Sequence, residues 1–343
     1  MRATNLIKPA ALRRGDTIAV VSPAGPVQPA RLARGIALLE ERGYRVRSRP
    51  DEATAPFRYF AASEPQRRAQ LIEAFDDPTV RAVWCARGGY GSGRLLPALD
   101  VDRLRARAKL LIGFSDVTAL LQLMVVKARV AAVHGPMVGH DLAGQDPAAL
   151  DHLFAMLEGA KDWRIDVPRG VRAGSASAPL LGGCLTVLAS LAGTPFAPRF
   201  DGAIVLLEDT HERPLRRVDR LLTQLAQSGM LSGAAGIVFG AMPDCGDADE
   251  LCAAIDECLG GLDVPIGFGA PLGHGAENFA VPLGVRVRLT VERVDVCDPW
   301  AARAQLDDPA ESAAGRAAGP AQGEPSRLAD PAGSLSGIES VVS

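Results

Sequence analysis

Three short strings each place a reactive side chain just past an apolar run. In the first, Leu110 to Ile112 stops at Gly113, and Ser115 stands in Gly113-Phe114-Ser115-Asp116-Val117 before a helical pattern. A serine at a sharp strand-to-helix turn holds its Oγ at the carboxyl edge of a sheet, where free helix amides favour developing negative charge. That is the logic of the G-x-S-x-G nucleophile elbow. The second glycine is missing, however, and "SDVT" is also a good helix start. On this string alone an N-cap outweighs a nucleophile. The second string is "AIVLLED", ending in Glu208 and Asp209, either of which could orient an imidazole from a partly desolvated strand end. The bland alternatives are Asp209 as a cap and Glu208 paired with Arg213 or Arg216. The third string is "APLGHGAEN", with His274 between two glycines after an apolar strand. That is the setting of a catalytic loop, and equally of an ordinary loop histidine.

The chain order Ser, Glu, His matches that of the α/β-hydrolases, although triads recur on unrelated folds. His134, His140, His152 and His211 are the other histidines; His152 falls inside a helical pattern and reads as a packing or surface residue. The loop "ARGGYGSGRLL" (86–96) carries four glycines in six residues after a strand. It could cradle a phosphate, supply amides to an oxyanion, or simply turn. It matches the dinucleotide fingerprint poorly and lacks the Lys-Ser/Thr ending of a P-loop. The loop alone does not choose between these readings.

Around these strings lies an ordinary globular composition: 343 residues, 48% hydrophobic and 22% charged. That length allows two domains. A formal net charge of -3 argues against a nucleic-acid binder. No stretch approaches the roughly 20 apolar residues that cross a bilayer, and the N-terminal string lacks a long apolar core, so neither a membrane span nor a secretory signal is expected. Cys85, Cys184, Cys245, Cys252, Cys258 and Cys297 form no C-x-x-C pair and have no histidine at ligand spacing. Thiols in a reducing cytoplasm, with no metal and no cofactor, are expected.

The elements that must position the reactive residues follow from periodicity. "GDTIAVVSPAG", "YRVRSRP", "VRAVWCARGG", "AKLLIGF" and "VAAVHGP" read as strands. "QPARLARGIALLEERG", "SEPQRRAQLIEAFDDP", "DVTALLQLMVVKAR" and "DPAALDHLFAMLEG" read as helices, with Ser63 as an N-cap, and "SGRLLPAL" as a short helix or turn. The alternation predicts βαβ units on a parallel sheet, Rossmann- or flavodoxin-like, over 1–160. "DWRIDVP" alternates like an exposed strand, and with "RGVRAGSASAPLLGG", rich in Gly, Ser and Ala, residues 161–180 read as a crossover linker between domains. A second α/β domain over 181–298 follows, with "GVRVRLTVER" as an edge or antiparallel strand. Residues 299–343, without aromatics after Trp300, read as a disordered tail.

Taken in order, "RRGDTIAVVSPAGPV", "RGGYGSGRLL", "KLLIGFSDVTALL", "HGPM", "LLEDTHERPLRRVDRLLTQL" and "PLGHG" resemble the LD-carboxypeptidases, serine peptidases also called muramoyltetrapeptide carboxypeptidases. The family includes the microcin-immunity peptidases. The resemblance runs from about Ile7 to about Val294. It implies Ser115 as nucleophile, Glu208 as orienting carboxylate and His274 as base. It further implies amides near Gly89 and at Asp116 as oxyanion donors, and a site at the junction of the two domains. A cytoplasmic homodimer acting on a muropeptide, or a peptide with a terminal D-amino acid, is implied as well. The alternatives are an immunity-type amidase acting on peptidyl-nucleotide antibiotics and, in another class, a non-catalytic nucleotide- or small-ligand-binding protein. One departure is "GGCLTVL", where many relatives have Asn in place of Cys184.

Overall fold

In a computed structural model, residues 5–49, 57–291 and 293–296 are described. The apolar runs of the first half become β1 (Thr17–Val21), β2 (Arg45–Arg47), β3 (Val80–Cys85), β4 (Leu110–Gly113) and β5 (Ala132–His134). They pair in parallel in the order β5-β4-β3-β1-β2. β1, β4 and β5 are buried at every residue, as strands covered on both faces must be. The helix Glu64–Asp76 starts as expected: Ser63 is its N-cap, and the Gln66 side chain accepts from the Ser63 amide at 3.1 Å. Strand order reverses at β1, with β2 on one side and β3 on the other. Such a switch point is where ligands bind in open α/β sheets, above the carboxyl ends of β1 and β3. The loops leaving those strands meet there, where the Gly25 amide donates to Gly88 O at 2.9 Å.

The second sheet contains β6 (Arg164–Asp166), β7 (Arg169–Arg172), β8 (Ser175–Cys184), β9 (Ile204–Glu208), β10 (Gly236–Phe239), β11 (Ile266–Phe268), β13 (Arg286–Thr290) and β14 (Arg293–Val296). Its core, β8-β9-β10-β11, is parallel; β7 joins β11 antiparallel, and β13, β14 and β6 extend the other side antiparallel. Of residues 161–180, "DWRIDVP" contains β6 as its alternation suggests, whereas the stretch from Arg169, expected to be a crossover, instead supplies β7 and much of β8. The small side chains of "SASAP" hide the alternation, and pairing with β13 overrides their weak strand preference, while Leu180 to Cys184 pair with β9. β13 is antiparallel, as anticipated, and lies inside the sheet rather than at its edge. The tail read over 299–343 lies outside the described residues.

Alternate residues of the second sheet serve two cores. Leu206 and Val238 pack in the same buried cluster as the first sheet, whereas Val205, Leu207, Ile237 and Phe239 pack in a second cluster with Val218, Leu222 and Leu225 of the helix Arg216–Gln227. Each buried aliphatic or aromatic side chain contributes about 1.5–3 kcal/mol of transfer free energy. A short strand not anticipated from the sequence, β12 (Val281–Leu283), joins the two halves. It leaves the second sheet and pairs antiparallel with β5 of the first, Val281 opposite His134. The segment between β11 and β12 therefore spans both sheets, and His274 lies on it.

Candidate active site

Ser115 does not cap a helix. Phe114 is extended, and Ser115 itself has φ +59° before the short 3-10 turn Ser115–Val117 and the helix Thr118–Gln122. The left-handed region costs a non-glycine residue about 1–2 kcal/mol, a strain that persists only where surroundings enforce it. Here the hydroxyl is held 3.0 Å from His274 Nε2. On the other side of the imidazole, His274 Nδ1 lies 2.6 Å from Glu208 Oε2. An ionised carboxylate can only accept, so the imidazole proton sits on Nδ1 and Nε2 is left to accept from the serine hydroxyl.

The adjacent carboxylates Glu208 and Asp209 diverge because successive strand residues face opposite ways. Asp209 accepts from the Thr186 amide at 2.8 Å, the Thr186 hydroxyl at 2.7 Å and the Thr210 amide at 2.8 Å, which fixes the start of the helix Leu185–Leu191. Burial pushes the Asp209 carboxyl up, against those hydrogen bonds. Burial also works to raise Glu208, but the charge of His274 and its hydrogen bond, with His134 close by, outweigh it and hold the carboxyl down at about 2. For His274, burial lowers the pKa while the Glu208 charge and hydrogen bond raise it, and the net direction is up.

The loop carrying His274 is anchored by Asn278, which the sequence reading passed over. Its side-chain oxygen accepts from the Gly273 amide at 2.8 Å, its own amide donates to Gln145 Oε1 at 2.9 Å, and its Nδ2 donates to Asp141 Oδ2 at 3.1 Å. Gln145 and Asp141 lie more than a hundred residues away, so no local signal announces them. Gly273 is required twice over: φ is +91°, and a Cβ there would sit 2.2 Å from Glu208 Oε2. Phe114 packs edge-on against the rings of His274, His134 and His140, with centroids 4.9, 5.8 and 6.2 Å away. His152, 2.7 Å from Ala280 O, and the exposed His211, beside Asp244, take no part.

The glycine-rich loop closes over Ser115. A Cβ on Gly88 would lie 3.0 Å from Ser115 Oγ and 3.4 Å from the Asp116 nitrogen, so the missing side chain leaves open the space that both atoms face. The loop is pinned by the Ser92 amide, which donates to Asp116 Oδ2 at 2.8 Å, and by the buried Arg67, which donates to the carbonyls of Ala62, Pro23 and Gly91. Gly88 lies outside the left-handed region, but a Cβ there would also sit 2.9 Å from Ser115 Cβ, so Gly88→Ala must displace the serine or the loop. We expect a lowered melting temperature and a kcat at least about 100-fold down, on the order of the loss when stabilisation of an oxyanion is disturbed. Steady-state kinetics beside a thermal melt check this.

Arg87 donates to Pro26 O at 2.6 Å, and Arg94 pairs with Glu64 at 3.1 Å. Beside the serine lies a cleft of about 570 Å³ between the two sheets, lined by Gly89, Tyr90, Asp116, Thr186, Leu191 and Phe196 among others. Cys184 donates its amide to Thr118 Oγ1 at 3.0 Å and is buried beside Asp209. Among the described residues, no cluster of three or more His, Cys, Asp or Glu is placed to hold a metal ion, and no helix is long and apolar enough to cross a membrane.

Residues 18–135 match the LD-carboxypeptidase N-terminal domain, and residues 177–289 match the LD-carboxypeptidase C-terminal domain. The murein tetrapeptide carboxypeptidase of Pseudomonas aeruginosa is 35% identical over 287 residues, covering 78% of this chain and 91% of that one. The chain belongs to the LD-carboxypeptidase family. The crystal structure of a muramoyltetrapeptide carboxypeptidase from Oxalobacter formigenes superposes with a TM-score of 0.73 at 31% identity, covering 82% of this chain and 99% of that one. An MccF-like protein from Bacillus anthracis has a TM-score of 0.76 at 25% identity, covering 84% and 98%. As an LD-carboxypeptidase, the chain is a serine-type peptidase of two α/β halves.

Proposed function

We propose that this LD-carboxypeptidase removes the terminal D-alanine of murein tetrapeptide, with Ser115 as nucleophile, His274 as base and Glu208 as the carboxylate that orients it. The observation that carries this reading is the continuous line from Ser115 Oγ to His274 Nε2 at 3.0 Å and from His274 Nδ1 to Glu208 Oε2 at 2.6 Å. His274 takes the hydroxyl proton as the Ser115 oxygen attacks the carbonyl between an L-configured centre and D-alanine. The oxyanion is held by the amides of Asp116 and Gly89, in the space that Gly88 leaves open; each such donor is worth about 3 kcal/mol of barrier. His274 then protonates the leaving amine, and D-alanine departs. Water, deprotonated by His274, hydrolyses the acyl-enzyme and returns the proton to Ser115. Glu208 stays ionised throughout and stabilises the imidazolium.

The pH dependence follows from the same groups. His274 must be neutral to act, and its pKa is raised, so the rate rises with pH through a midpoint above the roughly 6.5 of a free imidazole. Glu208, held at about 2, adds no second step on that limb. A kcat/KM profile from pH 4 to 9 should show one acid limb with its midpoint above pH 6.5; a midpoint below 6 contradicts the assignment.

The deciding experiment is mass spectrometry of a digest of murein tetrapeptide, run beside a peptidyl-nucleotide substrate. Accumulation of tripeptide with equimolar D-alanine supports the reading. Cleavage of the nucleotide conjugate alone replaces it with an immunity-type amidase, and cleavage of neither removes it. A cytoplasmic homodimer belongs to the same proposal, tested by light scattering and cell fractionation.

A further inference from the structure

The second oxygen of Glu208 is unexplained by the line just described. Oε2 accepts from His274, but Oε1 is buried and makes no hydrogen bond within ordinary geometry. The same is true of both ring nitrogens of His134, a residue with no exposed surface. These orphans lie together: His134 Nε2 is 3.5 Å from Glu208 Oε1. An unpaired buried carboxylate oxygen and an unpaired buried ring nitrogen are each costly, whereas a few tenths of an ångström of approach would pair Oε1 with Nε2.

We propose that His134 is a positioning residue that donates its Nε2–H to Glu208 Oε1, so that the carboxylate is gripped by one imidazole on each oxygen. The inference rests on the reading of Glu208 as the group that orients His274. His134 is suited to the task because its backbone is fixed from both sides, opposite Gly113 of β4 and Val281 of β12. Gly113 lies two residues before the serine, and Val281 ends the segment that carries His274. Phe114 packs edge-on against both imidazoles and keeps their planes apart. Gripped in this way, Glu208 can neither rotate away from His274 nor pick up a proton readily, and His274 keeps a fixed tautomer. With its proton on Nε2, the ring of His134 leaves a lone pair on Nδ1. It does not touch substrate and acts only through Glu208.

Other charged or titratable groups also face this cluster. Asp209 follows Glu208 on β9, Cys184 ends β8, His140 and Asp141 lie on the loop after β5, and Cys245 lies on the loop after β10. None of their side chains is hydrogen-bonded to Glu208 Oε1. Removing the donor from Oε1 leaves more negative charge to act on His274. The acid limb should therefore move to higher pH, a change that loss of packing alone would not produce.

The test has two parts, both on the full-length protein. In the unmodified protein, nitrogen-15 NMR of labelled histidines, with the His134 signals assigned by their loss in His134→Gln, should show Nε2 of His134 protonated from pH 5 to 9. A bare Nε2 overturns the proposal, since two lone pairs would then face each other; this measurement needs no variant to be active. Second, the rate of Ser115 labelling by a fluorophosphonate is followed against pH. His134→Phe should slow labelling at least about 10-fold and move the acid limb up by half a pH unit or more. His134→Gln, which can still donate, should recover most of the rate. Labelling of His134→Phe at the unmodified rate and with the unmodified limb overturns the proposal. So does His134→Gln behaving no better than His134→Phe. If the unmodified protein is not labelled at Ser115, the reading of the triad fails instead, and the NMR result still judges the contact between His134 and Glu208.

Discussion

Ser115→Ala should abolish D-alanine release while leaving a folded protein. The hydroxyl is the only part of that side chain with a hydrogen bond, to His274 at 3.0 Å, and no protein group takes over the attack when it is gone. In serine hydrolases, removing the nucleophile costs on the order of 10⁶ in kcat, and the remainder comes from binding and the oxyanion donors. Circular dichroism and a melt should match the unmodified protein, and residual turnover above about one per cent would remove Ser115 from the role. A companion variant reads the backbone. At φ +59°, a glycine is unstrained where serine and alanine are not, so Ser115→Gly should be more stable than Ser115→Ala by about 1 kcal/mol, although it is equally inactive. Urea titration of the pair measures that difference.

Glu208→Gln is expected to lose roughly 10⁴ in kcat with little change in KM, because an amide in that place favours the wrong imidazole tautomer and cannot stabilise the imidazolium. Asp209→Asn is the control. Asp209 binds the Thr186 and Thr210 groups and not His274, so its replacement should lower the melting temperature while leaving kcat within about tenfold. Steady-state kinetics of the two variants side by side distinguish the carboxylates. A collapse of activity in Asp209→Asn with Glu208→Gln near normal would reverse the assignment.

The sequence made the strands of the first sheet legible because parallel strands buried on both faces read as unbroken apolar runs. It also pointed to Ser115, to Glu208 or Asp209, and to His274 as residues past such runs, and only the family resemblance chose Glu208 between the two carboxylates. It could not choose between cap and nucleophile for Ser115, since "SDVT" satisfies the local rules for a cap; only the positive φ and a partner 159 residues away separate the two. Three features escaped it for a common reason. β8 looked like a linker because Ser, Ala and Gly carry little strand signal until two neighbours pair with them. β12 is three residues long and contains a proline, which demotes it by every local criterion. Asn278 and His134 look like ordinary loop and strand-end residues, and their importance resides in groups brought to them by the β5–β12 pairing. Long-range pairing is what single-sequence periodicity does not carry.

The return of the chain from the second sheet to the first has an engineering corollary. Cutting the polypeptide at the exposed bend around Lys161 would leave the alcohol on one fragment and both the acid and the imidazole on the other. Neither piece should react with a fluorophosphonate by itself. Co-expressed, the fragments should recover reactivity in step with docking of residues 281–283 onto residues 132–134, so the enzyme would report its own reassembly.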